Sequence, residues 1–147
     1  MNNSKSLYKV IAGIFIAIIF TACSTYTIPV ASFKAQMATS SKINKATNKP
    51  GIIFARADKL ETNGIEYIEC LNKKQQPVKV KVNPNILMQV TDSNNKKTVF
   101  YFDTVLKEDS VITGFTSYIF MTKKSIPLSS IRKIIIDASR KGNFSYK

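Results

Sequence analysis

Valine and lysine alternate through Val78-Lys79-Val80-Lys81-Val82. A two-residue period is the mark of a strand with one face in a core and the other in water, and Pro77 and Pro84 bracket this one. Short apolar runs of the same kind recur from Gly51 onward: Ile52–Ala55, Ile65–Leu71, Ile86–Thr91 and Thr98–Leu106. Ser110–Thr116, Tyr118–Met121 and Ile131–Ala138 continue the series, the last being the most apolar and the natural central strand. Asp92-Ser93-Asn94-Asn95-Lys96 carries the turn chemistry of a hairpin, Lys107-Glu108-Asp109 turns the chain again, and Ile126–Ser130 reads as a tight turn or a single helical turn. No segment shows a convincing amphipathic helical period. The pattern predicts an all-β domain, a small antiparallel roll or barrel of six to seven short strands. In the strand Thr98–Leu106, Phe100 and Phe102 share one face and Tyr101 and Asp103 the other. The polar tail 139–147 holds Phe144 and Tyr146, which could pin it back onto the domain.

Ahead of this domain the pattern differs. Ala38–Pro50 is small, polar and lysine-rich without apolar periodicity, and Pro50-Gly51 punctuates its end. Residues 24–50 therefore read mostly as a tether, with a root-mean-square span on the order of 30 Å if flexible. Thr25–Phe33 has strand-like composition and could instead pair with the domain. Residues 1–23 begin with Lys5 and Lys9, run through 11 uncharged and mostly apolar residues from Val10 to Phe20, and end Thr21-Ala22-Cys23. That apolar length suits a signal-peptide core of roughly 7–15 residues, whereas a membrane-spanning helix needs roughly 20. Ser24-Thr25-Tyr26-Thr27 then turns polar with no basic stop-transfer run.

Phe20-Thr21-Ala22-Cys23 resembles the lipobox of bacterial lipoproteins: an aliphatic residue, a small residue, Gly, Ala or Ser, then cysteine. Phe20 stands where leucine is usual. The resemblance implies cleavage between Ala22 and Cys23, attachment of diacylglycerol to the Cys23 thiol, and a mature chain anchored by its acyl chains in the cell envelope. Ser24, where aspartate would favour the inner membrane, leans toward the outer membrane. The lack of acid from Ser24 to Phe33 leans toward a periplasm-facing anchor. The organisation expected is a signal peptide over 1–22, a lipidated cysteine and tether over 23–50, and a β-domain over 51–147. Within that domain, Leu106–Ile136 resembles small SH3-like or Sm-like barrels. It has a charged turn, a strand with an inner glycine (Val111-Ile112-Thr113-Gly114), and an Ile-Pro-Leu-x-x-Ile turn leading to a closing strand. That resemblance implies a shape and no activity.

Composition changes this picture in three ways. The 147 residues suit one domain, and their net charge is +13. Removal of Lys5 and Lys9 with the signal leaves 20 basic against 9 acidic residues. In an envelope the available polyanions are lipid headgroups, surface polysaccharide and acidic proteins, not nucleic acid, although scattered lysines also suit a solvated surface. Histidine is absent, which removes the commonest proton shuttle and metal ligand. The second cysteine, Cys70, has no intrachain partner once Cys23 is lipidated, and in an apolar strand it reads as a small buried hydrophobe.

No catalytic set stands out. Ser93 and Lys96 have the Ser-x-x-Lys spacing but sit in a hairpin turn, and Glu108 and Asp109 are adjacent in a loop. No enzyme activity, cofactor, metal or small-molecule substrate is expected. The remaining candidate is an aromatic and basic face formed by Tyr101, Tyr118, Lys123 and Lys124, able to meet an anionic partner. The expected function is that of a non-enzymatic binding or accessory lipoprotein acting on a protein partner, as an assembly subunit or an immunity-type protein. The alternative is a structural envelope protein that contacts cell wall or anionic lipid through its lysines.

Overall fold

The computed structural model describes residues 25–48, 59–139 and 145–146. In chain order the elements are β1 (Thr25–Ile28), α1 (Val30–Thr39), β2 (Ile43–Asn48), β3 (Lys59–Thr62), β4 (Tyr67–Leu71), β5 (Pro77–Lys81), β6 (Leu87–Asp92) and β7 (Lys97–Tyr101). A 3₁₀ turn (Phe102–Thr104), β8 (Leu106–Glu108), β9 (Val111–Ser117) and β10 (Thr122–Pro127) follow. A second 3₁₀ turn (Leu128–Ser130), β11 (Ile131–Asp137) and β12 (Ser145–Tyr146) complete the set. The class is all-β with one helix, and every strand pairing is antiparallel. Six strands form one open sheet in the order β5-β4-β1-β11-β6-β7, and two further sheets run β10-β9-β8 and β12-β2-β3. None of them closes into a barrel.

The alternating pattern does what it promised in β4 to β7. Val78 and Val80 turn toward the core while Lys79 and Lys81 stay in water, and Ile68 and Cys70 are buried between exposed Tyr67 and Glu69. β11 is central, with Ile134 and Ile136 fully buried. Both long hairpins turn by the same device. Asn72 Oδ1 accepts from the Lys74 and Gln76 amides at 2.8 and 3.0 Å, and Asp92 Oδ1 accepts from the Asn94 and Lys96 amides at 2.9 and 3.0 Å. Gln75 and Asn95 then take left-handed φ of 60°, the short polar side chain having replaced missing backbone partners.

The expected tether is the largest correction. Thr25–Ile28 is an interior strand of the main sheet, held between β11 and β4. Val30–Thr39 is a helix, and Ile43–Asn48 is a strand. Pro29 ends β1 and its carbonyl accepts the first helical bond from the Phe33 amide at 2.9 Å. Val30, Phe33 and Met37 fall at helical spacing, and the last two are buried against the inner face of the sheet. β1 is short and pairs with β4 only at Thr27 and Leu71, so the Glu69 backbone has no strand on that side. The Gln36 side chain takes the strand's place: its Nε2 donates to the Glu69 carbonyl at 3.0 Å and its Oε1 accepts from the Glu69 amide at 2.8 Å.

The core lies between the inner face of the main sheet and a cover made by α1 and the β8–β9–β10 sheet. Phe33, Met88, Val90, Phe100, Phe102, Ile112 and Ile134 are among its fully buried members. Gly114 marks where two strands press together, because a Cβ there would sit 3.0 Å from both Phe100 Cδ1 and Val105 Cγ2. Two strand expectations fail locally. Thr98–Leu106 is broken at Tyr101 by the 3₁₀ turn, so Asp103 does not stay on an outer face but turns into the protein. Tyr118–Met121 is a turn and not a strand, with Met121 at φ 50°. The signal segment, Cys23, Ile52–Ala55 and Phe144 lie outside the described residues. Ser145 and Tyr146 pair with Asn48 and Thr47 of β2.

Candidate functional site

The 3₁₀ turn after β7 organises the first cluster of chemical interest. The Asn63 amide donates to the Asp103 carbonyl at 2.8 Å, and its side-chain Nδ2 donates to the Phe102 carbonyl at 2.8 Å. Thr104 Oγ1 donates to the Tyr101 carbonyl at 2.8 Å and accepts from the Phe115 amide at 3.0 Å, which fastens β9 to the turn. Held so, the Asp103 side chain is 2 % exposed and accepts a hydrogen bond from the Tyr118 hydroxyl at 3.0 Å. Its second oxygen, Oδ2, is buried and has no hydrogen-bond partner among the described residues. Burial raises the Asp103 carboxyl to about 6, against the opposing pull of Tyr118 and of Lys45. Burial also lifts the Tyr118 phenol above its ordinary range, and the neighbouring Asp103 adds to that.

Of the four residues expected to form a binding face, the structure brings three together. The Tyr101 and Tyr118 rings meet at 3.8 Å between centroids, and Phe115 packs 6.3 Å from Tyr118. Lys123 is paired across the strands with Phe115 and holds its ammonium 4.9 Å above that ring, a favourable cation–π geometry. Tyr118, however, is 5 % exposed and cannot touch a partner. With Leu60 and Phe115 it makes a second small core, against which Tyr101 and Met121 pack. Lys124 follows Lys123 along β10, where successive side chains alternate between faces, and it pairs with Gly114 in place of the aromatics. The expected face thus loses Tyr118 to a buried joint, while Tyr101 is half-buried and Lys123 and Lys124 remain exposed.

Two exposed features take its place. The first is the β9–β10 turn, where Ile119 is 73 % and Phe120 81 % exposed. The turn is held by the Phe120 amide donating to Ser117 Oγ at 3.2 Å and by Thr116 Oγ1 donating to the Thr122 carbonyl at 3.2 Å. Apolar runs suggest strands, which is why the sequence pattern concealed this turn. The signal that could have found it is an Ile-Phe pair between Ser117 and Lys123-Lys124 with no acid nearby. The second feature is the outer face of the main sheet. Registers place Leu71, Thr27, Ile135, Gln89 and Val99 in one row across β4, β1, β11, β6 and β7. Val99 is 40 % exposed and Tyr67, further along the same face, 52 %. A shallow depression lined by Thr27, Leu71, Lys73 and Ile135 opens at one side of the row.

Cys70 is 3 % exposed, its Sγ lies 3.8 Å from the Val78 carbonyl, and burial pushes its thiol up to about 11. Glu108 is engaged by Lys42 at 3.0 Å on the surface. Among the described residues no three His, Cys, Asp or Glu side chains converge as a metal site would require, and no helix is long and apolar enough to cross a membrane. No family model matches the chain, and no curated protein or solved structure matches it.

Proposed function

We propose that this chain is a lipid-anchored, non-enzymatic binding module of the bacterial cell envelope, tethered through acylated Cys23 and acting on a protein partner. The observation that carries the partner is the outer face of the six-stranded sheet. A row in which Leu71, Ile135 and Val99 alternate with the neutral Thr27 and Gln89, rimmed by charged groups, has the anatomy of a protein contact. Around Leu71, Ile135 and Val99 stand Lys79, Lys81, Lys97 and Lys133, with Glu69 already paired to Lys79 at 3.3 Å. Such a rim suits a partner whose contact surface is acidic. The buried Asp103–Tyr118 pair fits a structural joint better than a catalytic one, since Tyr118 seals the carboxylate away from any substrate. The anchor is supported by the Phe20–Cys23 pattern, and Ser24 favours the outer membrane facing the periplasm.

Photo-crosslinking in the native host tests the partner. A photoreactive residue at Tyr67 or Val99 should yield one discrete protein adduct, and the same residue at Asn94, on the exposed hairpin turn, should yield none. Adducts of equal pattern from all three positions, or none from Tyr67 and Val99, would remove the partner face. The mass of the chain recovered from membranes tests the anchor, which requires an acylated Cys23 at the amino terminus and its loss in Cys23→Ser.

A further inference from the structure

Antiparallel register decides which loops share an end of the main sheet. Thr25 lies opposite Asp137, Asp137 opposite Leu87, and Leu87 opposite Tyr101. These four residues mark one end, with Thr25 and Tyr101 about 14 Å apart across three inter-strand spacings. β4 also finishes at this end, since Leu71 pairs with Thr27, so the turn that follows carries exposed Lys73 and Lys74 there. Tyr118 stacks on Tyr101, and Ile119 and Phe120 are the next two residues. The point where the chain enters the sheet, a basic turn and the most exposed apolar side chains of the described residues therefore gather at one end. The Asp92–Lys96 turn marks the other.

We infer that this end is a membrane-docking surface, in which Ile119 and Phe120 insert into the interface of an anionic bilayer and Lys73, Lys74, Lys123 and Lys124 face its headgroups. The shape and charge of the tip favour that occupant. Ile119 and Phe120 stand on a convex hairpin tip, which a fluid interface can enclose without a complementary pocket. Ser117–Ser125 contains two lysines and no acid, and Asp103, which accepts from Tyr118, is buried, although half-buried Asp137 also lies at this end of the sheet. Apolar side chains flanked by cations are the pattern that binds anionic interfaces. The inference rests on the proposed anchor in one respect. Two residues of chain reach at most about 7 Å, so a lipid on Cys23 would hold the Thr25 end against the bilayer and bring the tip to it.

The chain contains no tryptophan, so Phe120→Trp in the full chain places a single indole at the tip, and Asn94→Trp places one at the opposite end. Each variant is mixed with phosphatidylcholine vesicles, with and without phosphatidylglycerol, and with the same vesicles carrying brominated acyl chains. Docking requires that the emission of the Phe120→Trp variant move to shorter wavelength and be quenched by bromine in the anionic vesicles, with a much smaller response in the neutral ones. The Asn94→Trp variant should keep its water-exposed emission in both. A tip indole left water-exposed while the protein floats with the vesicles would overturn the docking surface and leave the anchor standing. An equal response to neutral vesicles would overturn the electrostatic part. A blue shift without vesicles that grows with protein concentration would overturn the membrane as occupant and assign the tip to a second copy of the chain. If recovered protein lacks acyl groups on Cys23 yet the tip indole is still quenched, the anchor falls and the docking surface stands.

Discussion

Asp103 shows how one buried atom can set a pH dependence. Its carboxyl is raised from 3.8 to about 6 in the fold because burial opposes the charge more than Tyr118 and Lys45 support it. A raised acid binds its proton more tightly in the folded state, so its contribution to stability is fully present below the unfolded value near 3.8. It is lost as pH rises through about 6. A shift of that size corresponds to roughly 3 kcal/mol. Asp103→Asn keeps an acceptor for the Tyr118 hydroxyl and cannot ionise. Its stability relative to wild type should therefore climb between about pH 4 and pH 6 and level off above, as read by urea titrations across that range. A difference that is flat, or that falls with pH, would show that the carboxylate is charged at little cost. Cys70 belongs to the same scale. Burial and a thiol lifted to about 11 leave little thiolate at neutral pH. Labelling by a thiol reagent should follow global unfolding, and reductant should leave the melting temperature unchanged. Fast labelling of native protein would place the sulfur at the surface.

Among the elements, β1 and α1 matter most. β1 joins the β5–β4 hairpin to the rest of the main sheet, and α1 buries Phe33 and Met37 while its Gln36 completes the hydrogen bonding of β4. A chain starting at Gly51 retains every alternating strand read from the sequence from β4 onward, yet it loses the strand between β4 and β11. Truncating one buried Phe costs about 3–5 kcal/mol, a large share of the roughly 5–15 kcal/mol that stabilises a typical domain. The truncated chain should therefore be unfolded or aggregated, by circular dichroism and sedimentation, while a chain starting at Ser24 folds. A cooperative melt from the Gly51 chain would show that β1 and α1 only decorate the sheet. Strand identity was legible where apolar and polar residues alternate, as in β5, or where an apolar run is long, as in β11. It was not legible in β1, where Thr25, Tyr26 and Thr27 are only half-buried and the outward threonines look like linker residues.

At the scale of the whole molecule, the charge excess matters through where the fold puts it. Lysines on the outer strands keep the sheet faces wet and blunt the edges against pairing with other chains. Lys73, Lys74, Lys123 and Lys124 acquire a direction only because the fold collects them around one end with Ile119 and Phe120. Of the face expected from sequence, Tyr118 is buried, Tyr101 is half-buried, and Lys123 and Lys124 stay exposed. Aromatic and basic residues do cluster, but Tyr118 is drawn inward by Asp103, and a strand reading hid the exposed tip.

By itself the sequence determined the antiparallel all-β class, the inward valines of β5, the burial of Cys70, the hairpin turn at Asp92, and the central place of Ile131–Asp137. Each follows from local physics: two-residue periodicity, turn residues that satisfy their own backbone, and apolar length. Only the tertiary structure decided that residues 25–48 belong to the fold, that Asp103 is buried with one oxygen unpartnered among the described residues, and that Ile119 and Phe120 face water. A residue's burial depends on which distant strand lies across from it. The pairings that decide these cases, β1 with β11 and Tyr118 against Tyr101 and Asp103, join positions whose separation along the chain no local pattern encodes.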